Sequence, residues 1–379
     1  MQVNTLMRML APAAWLFYLV LVFEILYMIS PFAFYYYSSY GPVLNLLHES
    51  AWTAWLTGFF LPHVSRTTSS PLNYLHEVAE FPIGIGLILF LVGFAQIYWA
   101  KLRRSGPVVG GLYAYIRHPQ YVALAIMGLG TLLVWPRFLI LIAYVSMLFL
   151  YAILARSEEK NCLQRHGENY RVYLEHTGRF LPTAWTRKIP VVLTASGRSR
   201  IFVSFCVYVT TVVAAVLFAF GLRDYAFAHL CASFTDNVAV LSPALLSKHE
   251  LDSAFGLASS NTNVRQRLDE VGRGAKLIVY VLPSDWYLAD LPMESLSVAD
   301  WRRLGGHHTP ANFDRQSYKV LFTRALSYTP DARGRDIVKH AYGRDALFLV
   351  RVNTDTRHVS GLEAPAPHVL WGNIPTPMF

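Results

Sequence analysis

Twenty consecutive residues, Phe81 to Ala100, carry no charged side chain. As a helix rising 1.5 Å per residue, such a run is about 30 Å long, the thickness of a bilayer's hydrocarbon core. A chain holding it folds in or against a membrane, and three further stretches agree. Ala11 to Phe34 is apolar except for Glu24, and it runs into Tyr35, Tyr36 and Tyr37 instead of a small-residue cleavage site, so it reads as an anchor. Ile201 to Phe220 is a clean span. Residues 121 to 155 are too long for one crossing and are interrupted at Trp135-Pro136-Arg137, which predicts two legs of a helical hairpin whose ends return to one face. Val43 to Leu61, containing His48 and Glu49, either spans or lies along the interface. With 54% hydrophobic and 15% charged residues, the whole is no ordinary soluble chain.

The net charge of +9 has a local origin. Residues 101 to 118 contribute Lys101, Arg103, Arg104 and Arg117 with no acid, and residues 156 to 200 carry nine basic against four acidic side chains. Both segments flank apolar spans, the pattern of cytoplasmic loops under the positive-inside rule, so a nucleic-acid partner is not expected. Cys162, Cys206 and Cys231 have no C-x-x-C spacing, and neither a disulfide framework nor a metal site is predicted. His307-His308 lacks a partnering ligand pattern.

From about residue 223 the composition changes. Seventeen basic and sixteen acidic residues, Pro/Gly punctuation and β-like runs at Leu277 to Leu282, Tyr318 to Phe322 and Ala346 to Val352 predict a soluble α+β domain. The expected organisation is a helical membrane core over 1–222, with about five or six spans including the hairpin, followed by the α+β domain over 223–379. With the basic loops cytoplasmic, the last span carries that domain to the extracytoplasmic side.

Chemistry concentrates in two separated segments. The first is Gly111-Leu-Tyr113-Ala-Tyr115-Ile-Arg117-His118-Pro119-Gln-Tyr121; the second holds Glu158-Glu159, then Tyr170 and Tyr173, and ends on Gly178-Arg179-Phe180-Leu-Pro182. Each has an ordinary structural reading alone: an interfacial helix start for Arg117-His118-Pro119, a solvated face for the two acids, packing for the tyrosines. The hairpin changes that, because it returns Glu158 to the membrane face that holds His118. Acids, arginine, histidine and tyrosines then meet at 101–121 and 156–182, over apolar helices. Such a mouth suits a charged cofactor facing a lipophilic substrate from the bilayer.

The ordered set G-x-Y-x-x-x-R-H-P-x-Y, hairpin, E-E, G-x-x-Y-x-x-Y, R-F-x-P, over about residues 80 to 182, resembles the membrane methyltransferase superfamily of isoprenylcysteine carboxyl methyltransferase and the phosphatidylethanolamine N-methyltransferases. The resemblance implies that Tyr113, Arg117, His118, Pro119, Tyr121, Glu158 and Glu159 surround S-adenosylmethionine. It implies that Arg179 lies near the substrate and the transferred methyl, and Tyr170 and Tyr173 join it as candidate substrate contacts. Gly84-Ile-Gly86 looks like the G-x-G of the phospholipid enzymes and also suits close helix packing. Ala123 stands where the family often has glycine.

The chemistry so implied is in-line methyl transfer to a carboxylate, thiol or amine of a lipophilic or small membrane-accessible substrate, with Arg179, Glu158 and His118 as catalytic candidates and Glu158 or His118 able to take a proton. Two other functions fit the spans: a membrane NADPH-dependent reductase of the sterol and steroid reductase type, and a noncatalytic anchor or sensor acting through the soluble domain. The oligomeric state is not legible.

Overall fold

The computed structural model describes residues 41–63, 65–186, 198–272, 274–288, 291–293 and 312–366. The Ala11 to Phe34 stretch with Glu24, and His307-His308, lie outside them. The elements run α1 (Gly41–His48), α2 (Ser70–Val78), α3 (Glu80–Arg103), α4 (Pro119–Val134), α5 (Phe138–His176) and α6 (Arg198–Ala228). Then follow β1 (Cys231–Phe234), β2 (Val238–Ser242), α7 (Lys248–Ser260), α8 (Thr262–Val271), β3 (Leu277–Pro283), β4 (Ser317–Ser327), α9 (Arg335–His340), β5 (Ala341–Asn353) and β6 (His358–Glu363).

Among the described residues three helical stretches are long and apolar enough to cross a membrane: Ser70–Arg103, Phe138–His176 and Ile201–Ala228. Pro119–Val134 is apolar but shorter. The described residues therefore do not account for all of the five or six spans expected. Val43 to Leu61 holds no spanning helix, because α1 has eight residues and only a 3-10 turn, Ala54–Thr57, follows it.

The chain forms two compact units. Described residues of the first are Pro82–Leu129, Ala143 onward and the start of α6 to Thr211. Here the two legs of the hairpin run against each other: the Tyr144 hydroxyl donates to the Ala125 carbonyl at 3.0 Å. α4 ends at Val134 and α5 begins at Phe138, the break expected at Trp135-Pro136-Arg137. Proline there has no N–H to give to a helix, and its ring blocks the preceding turn. α3 packs on α4 through Gly86, where a Cβ would come within 2.6 Å of the Ala123 carbonyl oxygen and the Met127 nitrogen. α6 joins α5 through Ser146 and Tyr208, whose hydroxyls lie 2.8 Å apart. α5 continues well beyond bilayer length, and its one residue with non-helical torsions is Gly167.

The second unit holds Ser39–Phe81, Gly130–Ile142 and the chain from Val212. Its described strands form one six-stranded mixed sheet in sequential order β1 to β6. β2 and β3 are parallel, joined by the α7–α8 crossover, and the remaining neighbours are antiparallel. β3, Leu-Ile-Val-Tyr-Val-Leu-Pro, is buried along its whole length, as a strand covered on both faces requires. The β-like runs read from the sequence fall inside β3, β4 and β5. Residues 41–69 are tied into this unit. His48 sits edge-on to Tyr342 at 4.9 Å, Tyr328 donates to the His48 carbonyl at 2.8 Å, and the Thr68 amide donates to the His229 carbonyl at 2.9 Å. His48 thus serves packing, which is why an ionisable residue is tolerated in an apolar stretch.

Candidate active site

The two polar segments of the first unit are joined first by backbone. The Arg117 amide donates to the Gly178 carbonyl at 2.9 Å and the His118 amide to the Arg179 carbonyl at 3.1 Å. This short parallel pairing, centred on Ile116 and Gly178, sets Arg117-His118 alongside Arg179. Pro119 then opens α4, where a missing N–H costs nothing because first-turn amides have no partner within the helix. The antiparallel leg of the hairpin brings Glu158 and Glu159 to the same place.

Adjacent on α5, the two acids diverge by about 100° around the helix axis and meet different partners. Glu159 is buried. Arg179 grips it with Nε at 3.0 and 3.1 Å from its two oxygens, Arg117 Nε lies 3.2 Å from Oε1, and His118 Nε2 lies 3.3 Å from Oε1. Glu158 is 39% exposed, accepts a hydrogen bond from the Tyr121 hydroxyl and lies 3.4 Å from His118 Nδ1. His118 therefore bridges both carboxylates while its ring stacks on Tyr121, which stacks in turn on Tyr151.

The electrostatics follow from this arrangement. Burial alone would lower the His118 pKa, but hydrogen bonds and charge from Glu158 and Glu159 outweigh it and hold the imidazole above its ordinary value. Burial pulls Arg117 below its ordinary value, with the Glu159 charge working against that loss. Tyr113 is raised, first by burial and then by the nearby Glu158 charge, so it stays a neutral phenol.

Beside this cluster lies a cavity of about 600 Å³, within the size range of small-molecule sites. Tyr113, Arg117, His118, Tyr121, Glu158, Tyr170 and Tyr173 line it. Glu159 and Arg179 do not; they stand behind the wall, holding each other. Gly84 and Gly86 are also not in the lining: a Cβ on Gly84 would meet nothing within 4 Å, and Gly86 packs against α4. Lys101, Gln120, Asn161, Cys162 and Arg165 line the cavity as well, though the motifs did not single them out. A signal for three of them was present. Asn161, Cys162 and Arg165 follow Glu158 at i+3, i+4 and i+7, the spacing of one helix face.

One acid, Glu158, and the basic groups Lys101, Arg117, His118 and Arg165 thus share one mouth, with aromatic and aliphatic walls behind them. That arrangement suits a zwitterionic ligand carrying an aromatic or apolar part. Three buried polar atoms of the lining, Tyr113 Oη, Gln120 Nε2 and Arg117 Nε, have no hydrogen-bond partner among the described residues, and of these Arg117 Nε alone has an ion-pair partner, Glu159.

Residues 92–169 match the family model described as Phospholipid methyltransferase. The match takes in the Arg117-His118-Pro119 segment, the hairpin and both acids, and bears out the resemblance to the membrane methyltransferases. Arg179, Gly84 and Gly86 fall outside it. No curated protein and no solved structure matches the chain.

Proposed function

We propose that this protein, with a methyltransferase-like segment at its helical core, is an integral-membrane methyltransferase using S-adenosylmethionine on a lipophilic or small membrane-accessible acceptor. The observation that carries the reading is His118 set between Glu158 and Glu159 on the wall of a 600 Å³ cavity. Support also comes from the two unpartnered buried polar atoms, Tyr113 Oη and Gln120 Nε2, since a ligand rich in hydrogen-bonding groups would satisfy them. When bound, S-adenosylmethionine supplies a methyl on a positively charged sulfur, open to direct attack by a carboxylate, thiol or amine.

The chain's own residues would do the positioning. Glu158 offers a half-exposed carboxylate to a cationic group, and Arg117 with His118 offers charge-assisted donors to an anionic one. The two acids on either side of the imidazole favour its protonated form. His118 is therefore suited to binding an anion, and Glu158 is the better candidate to accept a proton from an amine or thiol acceptor. Glu159 and Arg179 act as positioning residues: their pairing holds Arg117 and His118 in place. Apolar helices around the cavity exclude water and strengthen each of these charge interactions. The basic segments flanking the site support a cytoplasmic mouth under the positive-inside rule.

Calorimetric titration of the detergent-solubilised full chain tests the reading. S-adenosylmethionine and its demethylated product are expected to bind at low micromolar to submillimolar affinity, and Arg117→Ala or Glu158→Ala to weaken that binding at least tenfold. Binding of NADPH in their place would shift the assignment to a membrane reductase. Absence of any binding by the folded protein would shift it to a noncatalytic anchor.

A further inference from the structure

The two unpartnered atoms in the cavity wall belong to residues that touch the same small region. Tyr113 and Gln120 are 6% and 5% exposed. A Cβ placed on Gly93 of α3 would lie 3.1 Å from Gln120 Cγ, 4.0 Å from its Cδ and 3.8 Å from Tyr113 Oη. Phenol and amide are thus neighbours over one bare stretch of helix. Gly93 lies on the same helix face as Ile97 and Lys101, which line the cavity together with Tyr98.

Leaving two polar groups buried and unsatisfied is costly, about tenfold to hundredfold in an equilibrium for each. A structure bears that cost where a ligand repays it. The free amide is a donor, and the neutral phenol both donates and accepts. Together they match a flat group whose edge sets a hydrogen-bond acceptor beside a donor, and the aromatic lining suits such a group's faces. The ionic partners Arg117, His118 and Glu158 serve a different part of the ligand.

We infer that Gln120 and Tyr113, given room by Gly93, form the subsite that reads the amino-purine edge of the methyl donor. The inference rests on the proposed use of S-adenosylmethionine. Gln120 Nε2 donates to the ring acceptor and Tyr113 Oη accepts from the exocyclic amine. Hypoxanthine reverses this edge: its ring N–H opposes the amide N–H, while the phenol turns its own proton toward the carbonyl that replaces the amine. Discrimination between the two bases therefore falls on Gln120, and Tyr113 anchors either one.

The test uses binding alone. The full chain in detergent is titrated calorimetrically with S-adenosylhomocysteine and with S-inosylhomocysteine. The wild type is expected to prefer the adenosyl compound by tenfold or more. Gln120→Leu should bring that ratio to within about threefold of unity, mainly by weakening the adenosyl compound, whereas Tyr113→Phe should weaken both compounds by about threefold to tenfold and keep the ratio. Gly93→Ala, which crowds the amide, should narrow it as well. Gln120→Glu keeps the side chain's shape and offers an acceptor to the ring N–H, so it should favour the inosyl compound, and it reports even if Gln120→Leu unfolds the chain. Folded Gln120 variants that keep the wild-type preference overturn the inference and leave the methyltransferase reading standing. A folded wild type that binds neither compound overturns both.

Discussion

Arg117 Nε lies 3.2 Å from Oε1 of Glu159, a contact between a residue of the first polar segment and one at the far end of the hairpin. Arg179 and His118 close on the same carboxylate. One buried anion thus organises three basic groups, while its neighbour Glu158 is left facing the cavity. Two adjacent acids, alike as letters, have different work because a helix turns between them.

Replacement of either acid should separate stability from binding. Glu159→Ala strands two guanidinium groups and an imidazole beside a buried vacancy and is expected to cost about 3–5 kcal/mol, the usual penalty for breaking a buried pair. Glu158→Gln keeps an acceptor for Tyr121, and its unfolding free energy should fall by about 1 kcal/mol or less, while affinity for S-adenosylmethionine drops at least tenfold. Unfolding midpoints and calorimetry on the same preparations check both halves. A stable Glu159→Ala protein would contradict the assigned role.

The His118 pair should make stability depend on pH in one direction. Its folded-state pKa is raised above the unfolded value by Glu158 and Glu159 against the effect of burial. The stabilisation is then complete below the unfolded value and is lost as pH rises through the folded one. As pH rises from about 6 through the folded value, the wild type should lose more of its thermal stability than His118→Gln. Parallel melting curves for the two proteins across that range would show the mechanism to be wrong.

The two glycines of Gly84-Ile-Gly86 should respond oppositely to a methyl group. Gly86→Ala forces backbone atoms of α4 to move and is expected to cost about 1–3 kcal/mol. Gly84→Ala meets open space on an exposed helical position and should be neutral or stabilising by about 0.5–1 kcal/mol. Neither change is expected to alter ligand affinity by more than about twofold in folded protein. Chemical denaturation with a ligand titration on each variant decides this.

In the sheet-bearing unit, Ser247 caps α7. Its hydroxyl accepts from the Glu250 amide at 3.2 Å, and the Glu250 carboxylate accepts from the Ser247 amide at 2.7 Å. Burial pushes the Glu250 carboxyl up, but the hydrogen bonds with Ser247 and the Arg315 partner together outweigh it and hold Glu250 below its ordinary pKa. Ser247→Ala should cost about 1 kcal/mol, within a range of about 0.5–2, read as a lowered unfolding midpoint with ligand affinity unchanged.

Much of the helical core was legible because membrane spans are written in one dimension. The α3 run, the break at Trp135-Pro136-Arg137 and the Ile201 span follow from apolar length and proline chemistry. Strands β3, β4 and β5 were visible as β-branched and aromatic runs, whereas β1, with only Cys-Ala-Ser-Phe, had too little pattern to stand out. The failure of Val43 to Leu61 to form a span was not visible. Its apolar residues are consumed by packing within the sheet-bearing unit, and a hydropathy pattern does not say which apolar surface will cover it.

The site divides in the same way. Composition, spacing and the order of motifs by themselves determined that this chain is a membrane protein, that a hairpin returns on itself, and that Arg117, His118, Tyr121, Glu158 and Arg179 are the residues to watch. Only the tertiary structure decided that Glu158 faces the cavity while Glu159 and Arg179 stand behind it, that Gly86 is a packing contact, and that Gln120 joins Tyr113 in the wall. The reason is physical: a pattern along a helix reports which residues share a face, but burial and ion pairing depend on what the other segment brings to that face.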